Sequence, residues 1–234
     1  MLAPDLTGHG DSDWRPSYSL DVWSEEVAAV IAEHASPHPV LVGHSMGGHV
    51  ALVLAQRAGD ALAGVITVDS ELRRRHDPPR PRPWSRTDPT ERTVHPDEAT
   101  ILSRFRTMPE ECRASPDVLR HVAKQSVVRH GSGWSWKFDR RFVDHAPLRM
   151  EDLSPLPCRV HVVRGERGLV DDAMASTAAA RLQPSFPSAP PATACVPGAG
   201  HHVPLEEPRE LASIISATAA EWSLQTPPRH PEDR

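Results

Sequence analysis

Leu41-Val42-Gly43-His44-Ser45-Met46-Gly47-Gly48-His49-Val50-Ala51-Leu52 is the stretch that decides the fold. The apolar run Val40 to Val42 before the first glycine is short enough for a buried strand. Gly-His-Ser-Met-Gly then reads as G-x-S-x-G, and Val50 to Ala55 continue as a helix-forming apolar segment. Strand, tight turn and helix are the setting that an exposed, strained serine needs. Such a turn forces the serine to a sparsely allowed backbone angle, so Gly43 and Gly47 are expected to leave room for it. The helix that follows aims its free N-terminal N–H groups at whatever the serine attacks.

Outward from this stretch the chain alternates. Ser19 is a candidate N-cap for a helix carrying Leu20, Trp23, Val27, Val30 and Ile31 on one face, stopped by Pro37 and Pro39. After the serine, the helix should run to Ala58 with Gly59 as C-cap, and Gly64 to Val68 is a β-branched strand ending at Asp69. From Glu71 the rhythm breaks: Arg73-Arg74-Arg75 and a Pro-Arg alternation at 78–83 precede helical patterns near 97–107 and 116–129, then Gly133-Trp134-Ser135-Trp136-Lys137-Phe138-Asp139. It resumes with a strand at Arg159–Gly165, a helix from Asp171 to Leu182, a strand at Ala192–Val196, and a helix bearing Leu211, Ile214, Ile215 and Trp222. The expected organisation is a core of residues 1–70 and 152–224, an insertion at 71–151, and a polar, proline-rich tail at 225–234. Leu2 and Ala3 read as the last residues of a strand, followed by a tight loop at Gly8, Gly10 and Ser12. Alternating strands and helices argue for a mainly parallel α/β sheet covered on both faces, with ligands at the C-terminal strand ends.

Composition narrows the function. A net charge of -5 without a block of like charge argues against nucleic acid, and no apolar run approaches the roughly 18 residues of a membrane span. The N-terminus lacks the basic start and apolar core of a signal peptide, which points to the cytoplasm. Cys112, Cys158 and Cys195 are odd in number and widely spaced, as suits a reducing compartment. The 14 histidines are scattered, without an H-E-x-x-H or a C-x-x-C pair, so neither a metal nor another cofactor is expected. Of the 25 prolines, clusters at 78–96, 184–191 and 227–231 mark loops.

Three residues fall just past strand ends: Ser45, Asp69 and His201, the last in the loop Pro197-Gly198-Ala199-Gly200-His201-His202. A serine hydroxyl needs a base to take its proton, imidazole can take and return it, and a carboxylate orients the imidazole. Serine, acid, histidine is the chain order expected for this turn. His201 is favoured over its neighbour His202. Asp69 is favoured as the acid, with Asp171 the alternative; in Gly165-Glu166-Arg167-Gly168-Leu169-Val170-Asp171-Asp172, glycine and leucine stand where an acid after that strand is usually found.

With these residues assembled, the chain resembles the α/β-hydrolase fold superfamily. Pro4-Asp5-Leu6-Thr7-Gly8-His9-Gly10-Asp11-Ser12 is similar to the loop after its fourth strand, Gly43-His44-Ser45-Met46-Gly47-Gly48 to the nucleophile elbow, and Val68-Asp69 to a sixth strand carrying the acid. Arg164-Gly165-Glu166 and Pro197 to His201 resemble the last two strand ends, and residues 133–139 a cap-domain stretch. The resemblance implies a cofactor-free serine hydrolase with a helical cap, acting on a small ester, thioester or lactone through an acyl-enzyme at Ser45. It implies the N–H of Met46 as one oxyanion donor, and His44, Trp134, Trp136 and Phe138 as candidate pocket residues. Serine rather than aspartate at 45 argues against epoxide hydrolase or dehalogenase chemistry. The family has three further strands before the position of Leu2, and a His-Gly loop with the second oxyanion donor, that find no counterpart here. The resemblance therefore implies a start set inside the natural chain, favoured because the triad residues are intact, or a fragment with an exposed sheet edge. The rival readings are a non-catalytic protein on this scaffold and, within enzymes, carbon–carbon bond hydrolysis or perhydrolysis. The oligomeric state is left open.

Overall fold

The computed structural model describes residues 1–78, 92–183 and 192–225. The proline stretches 184–191 and 227–231, the Pro-Arg alternation from 79 and the tail from 226 lie outside the described residues. In chain order the elements are α1 (Leu20–His34), β1 (Val40–His44), α2 (Met46–Ala58), β2 (Gly64–Val68), α3 (Glu98–Leu102), α4 (Pro116–Gln125), β3 (Val127–His130), β4 (Gly133–Trp136), β5 (Arg159–Gly165), α5 (Asp172–Leu182), β6 (Ala192–Val196), α6 (Val203–Glu206) and α7 (Pro208–Gln225).

β1, β2, β5 and β6 form one parallel sheet in that order, with His44 opposite Val68, Val68 opposite Val163 and Gly165 opposite Val196. Side chains alternate across it with the period of two that a strand imposes. Val65, Val160 and Val162 face a cluster with Ala51, Leu52 and Ala55 of α2 and Ala175, Ala178 and Leu182 of α5. Ile66, Val68 and Val163 face the opposite cluster with Val196, Val203, Leu211 and Trp222. The sheet is thus covered by α2 and α5 on one face and α7 on the other, as buried parallel strands require. A third cluster joins α1 to α2 through Tyr18, Leu20, Trp23 and Val50. Among the described residues β1 is a sheet edge, and Val42 is 40% exposed.

α1 begins at Ser19 as expected, its side chain accepting from Val22 N–H at 3.1 Å. Gly59 is the C-cap of α2, as expected, at φ -67 and so outside the left-handed region; its Cβ would lie 2.7 Å from Pro157 Cγ, so close approach favours glycine there. Other expectations need correction. The helical pattern at 116–129 stops at Gln125, because Val127 and Val128 open a hairpin, β3 with β4, that turns at Gly131 with φ +59. The pattern at 97–107 yields only the five residues of α3. The stretch 71–151 is therefore mixed helix and hairpin. Leu2 and Ala3 belong to no strand, and both are exposed.

The long excursion joins two strands that are neighbours, β2 and β5. It closes on itself where Arg73 pairs with Arg149 and Met150 N–H bonds Arg73 O at 2.9 Å. It is tied to the N-terminal loop by Asp139 N–H to Gly8 O at 2.7 Å and by Tyr18 O–H to Asp139 Oδ2 at 2.7 Å.

The β1–α2 turn is sterically closed. A Cβ on Gly43 would sit 2.2 Å from Gly47 O and 2.5 Å from Gly48 N. Gly43→Ala should destabilise the protein by about 2 kcal/mol or more. Thermal unfolding should show it as a Tm lower by at least about 4 °C.

Candidate active site

Ser45 stands between β1 and α2 at φ +52 and ψ -120, an orientation a non-glycine residue adopts only under constraint. The constraint is visible: Ser45 N–H donates to Val68 O at 2.9 Å, extending the ladder one residue past β1 before the chain turns into the helix. Gly43 lets that helix approach. Gly47, expected to share the role, has open space around its Cβ position; Gly48 takes it instead, since a Cβ there would meet Ser70 Oγ at 1.9 Å. Met46 is the first residue of α2, so its N–H has no acceptor within the helix.

Asp69 repeats the arrangement one strand over. Its φ is +45, and its N–H donates to Val163 O at 2.8 Å, past the end of β2. The side chain is wholly buried and accepts from His201 Nδ1 at 2.7 Å. It also accepts from Gly165 N–H at 3.2 Å, Leu169 N–H at 2.8 Å and Val170 N–H at 3.4 Å. The loop whose acid position is filled by glycine and leucine thus supplies donors in place of a carboxylate. Asp171, the alternative acid, is elsewhere: exposed, it caps α5 through Met174 N–H at 2.7 Å.

The bond from Nδ1 to Asp69 fixes the tautomer of His201 and leaves Nε2 with its lone pair. Ser45 Oγ makes no hydrogen bond to it among the described residues; such contacts are often long before substrate binds. His44 and His202 flank His201, with ring centroids 4.8 Å and 5.2 Å away. His44 donates from Nε2 to His201 O at 2.7 Å, and His202 donates from Nε2 to Pro109 O at 2.8 Å. Each neighbour thus has its Nε2 on a main-chain carbonyl, His44 on the His201 loop and His202 on the excursion. Burial, reinforced by His201, lowers the His44 pKa from 6.5 to about 4. Burial likewise lowers His49 to about 4, its bond to Glu71 O acting in the opposite sense.

Of the aromatic residues singled out, Trp136 stacks on Phe138 at 6.0 Å and meets Phe105 at 6.3 Å, while Trp134 carries Arg129 over its ring. Phe138 continues to Phe142 at 6.2 Å, and Phe142 to His9 at 4.8 Å, so a row of half-buried rings runs from the excursion to the N-terminal loop. No group of three or more metal-ligating side chains is found among the described residues. No described helix is long and apolar enough to cross a membrane.

The comparisons agree with this architecture. Residues 1–214 match the profile of the Alpha/beta hydrolase family. The esterase Rv0045c of Mycobacterium tuberculosis is 30% identical over 223 residues, 92% of this chain and 72% of that protein. Its crystal structure superposes with a TM-score of 0.70 at 24% identity, covering 92% of this chain and 73% of that one. The structure of E-2-(acetamidomethylene)succinate hydrolase gives a TM-score of 0.67 at 21% identity, covering 92% and 80%. The chain belongs to the alpha/beta hydrolase family, and it is an enzyme of that class.

His44 and His49 are neutral in the folded protein at pH 7, and their folded pKa of about 4 lies below the ordinary 6.5. The unfolded chain therefore takes up protons first as pH falls, and stability is lost between about pH 6.5 and 4. Equilibrium unfolding across that window should show the decline. His49→Gln, which keeps a donor for Glu71 O, should flatten it by up to about 1.4 kcal/mol per pH unit.

Proposed function

We propose that this protein is a serine hydrolase that cleaves a small ester, thioester or lactone through an acyl-enzyme on Ser45. The observation that carries the reading is the buried 2.7 Å bond between His201 Nδ1 and Asp69 Oδ2, which leaves Nε2 free on the rim from which Ser45 projects. In this reading His201 Nε2 takes the Ser45 proton as Oγ attacks the carbonyl carbon. The Met46 N–H, at the positive end of α2, receives the developing oxyanion. The C–O or C–S bond then breaks, His201 returns the proton to the leaving group, and water repeats the sequence to free the acid. Asp69 holds the imidazole and stabilises its charged form.

The stretch 71–151 is proposed as the cap. Trp134, Trp136 and Phe138 are its candidate pocket residues, with Phe105 and Phe142 extending the ring row. His44 was grouped with them, but its ring nitrogen is spent on His201 O; its proposed part is to brace that loop. Names of relatives, an esterase and a hydrolase of a substituted succinate, are consistent with carboxylic ester or related acyl chemistry. The three cysteines are unpaired, which supports the proposed cytoplasmic setting.

The test is turnover of short-chain p-nitrophenyl esters together with labelling by a fluorophosphonate. Ser45→Ala should abolish both. Asp69→Asn should lower kcat by about 10³- to 10⁴-fold by misplacing the proton on the imidazole. Asp171→Ala should leave kcat within about twofold and cost only the cap, about 1 kcal/mol. Labelling that persists in Ser45→Ala removes the nucleophile assignment. Labelling without ester turnover favours carbon–carbon hydrolysis or perhydrolysis, and neither labelling nor turnover in the wild type favours the non-catalytic reading.

A further inference from the structure

Behind His201, the carboxylate of Asp69 lies in a receptacle built from main chain. The turn from Gly165 to Val170 passes over it and offers three N–H groups, from Gly165, Leu169 and Val170, at 3.2, 2.8 and 3.4 Å. With His201 Nδ1 at 2.7 Å, both carboxylate oxygens are served, and no lysine or arginine takes part in these bonds. Converging peptide N–H groups of this kind form anion-binding concavities. The turn is itself pinned: Gly168 N–H bonds Gly165 O at 3.1 Å, Arg167 N–H bonds Ala199 O at 2.8 Å, and Glu166 N–H bonds Val196 O at 3.0 Å. These bonds hold residues 166–168 against the end of β6 and the loop after it by contacts that do not involve the acid.

Gly168 closes the receptacle. A Cβ there would fall 2.1 Å from Asp69 Oδ1, 2.5 Å from Cγ and 2.6 Å from Oδ2. Its φ is not in the left-handed region, so the glycine answers to the carboxylate's volume and not to backbone conformation.

We propose that the Gly165–Val170 turn is a carboxylate-binding site, with Gly168 a positioning residue for Asp69, and that it accepts free formate once the Asp69 side chain is removed. The proposal rests on the catalytic role given to Asp69 above only where turnover is the readout. Formate is the preferred ligand for a steric reason. A free acid must keep its carbons about 3.5 Å from the residue 69 Cα, whereas the Asp69 Cγ lies about 2.5 Å from it, so even formate must draw back by about 1 Å. Each added methyl or methylene pushes the oxygens further from the N–H groups, so the smallest carboxylate loses least. Acetate should bind less well, and propionate not at all.

The variant to use is Asp69→Gly. The residue's φ of +45 suits glycine, so the substitution removes the side chain without straining the backbone. Two readouts are needed. Thermal unfolding in rising formate reports binding whether or not the enzyme turns over; kcat with a p-nitrophenyl ester reports function. We expect a saturable Tm increase and a rise in kcat of at least about tenfold with formate, a smaller one with acetate, and none with propionate. Adding Gly168→Ala to Asp69→Gly should abolish both effects. In the wild-type background, Gly168→Ala should lower kcat about 10- to 100-fold with KM within twofold. A glycine needed merely for folding would cost the same in both backgrounds, and the cycle separates the two. A folded Asp69→Gly protein with neither response overturns the proposal, as does an equal response to propionate or in the double variant. Wild-type kcat in Asp69→Gly would overturn the acid assignment instead, while the Tm titration still reads the site.

Discussion

The last rung of each parallel ladder organises this molecule. Ser45 N–H reaches Val68 O, Asp69 N–H reaches Val163 O, and Glu166 N–H reaches Val196 O, each one residue beyond the regular strand. In a parallel sheet the bonds are evenly spaced and slanted, so the residue leaving each strand is held by a carbonyl at or near the end of the next. At two of the three exits, Ser45 and Asp69, the chain turns away with positive φ. Strain of this kind costs on the order of 1–3 kcal/mol per residue and persists only when surrounding structure over-determines it. The same stagger sets three successive strand exits along one rim, which is why residues 132 positions apart, Asp69 and His201, meet at 2.7 Å.

Two fully buried carboxylates show how differently the chain handles charge. Asp139 has Arg141 on both oxygens and the Tyr18 hydroxyl on Oδ2. Burial acts to raise its pKa, but those bonds outweigh it and the net shift is downward. The Tyr18 phenol, by burial first and then by Asp139, is pushed up to about 12. That cluster braces the N-terminal loop against the excursion. Asp69, by contrast, is met by neutral peptide N–H groups and one imidazole. In the proposed mechanism an arginine on Asp69 would compete with His201 for the same carboxylate, whereas neutral peptide donors hold the carboxylate in place without that competition. Burial keeps His44, whose ring lies 4.8 Å from that of His201, neutral at neutral pH.

Most of this frame was legible in the residues. The strand–turn–helix of 40–58 showed because an apolar run, a glycine-spaced serine and a helix former are local signals, and Ser19 as a cap is equally local. What was not legible depends on how elements cross. Whether Gly47 or Gly48 faces β2 is set by the rotation of α2 on the sheet, which no spacing encodes. Asp69 and Asp171 were hard to rank because an acid at a strand end and an acid at a helix start are the same residue type in adjacent settings; only the fold shows one buried on His201 and the other capping α5. Val127 and Val128 carried a helical period out of α4, and only their pairing with Trp136 and Ser135 reveals the hairpin. The Gly-Leu at 168 and 169 was a readable clue of the opposite kind, since a missing acid there meant that the loop had something else to do.

If the excursion is the proposed cap, its placement separates chemistry from selection. It departs after β2 and returns at β5, strands that already pair along their whole shared length, so the ladder does not depend on what lies between. Closure needs only the Arg73–Arg149 pairing, and alignment over the rim comes from Asp139 on the N-terminal loop and Pro109 on His202. The His202 contact ties the excursion to the residue next to the proposed base, while Asp69 and its peptide donors lie in the core on the other side of His201. In the proposed reading, changes in residues 92–151 would alter what reaches Ser45 while the bonds at the strand exits stay in place.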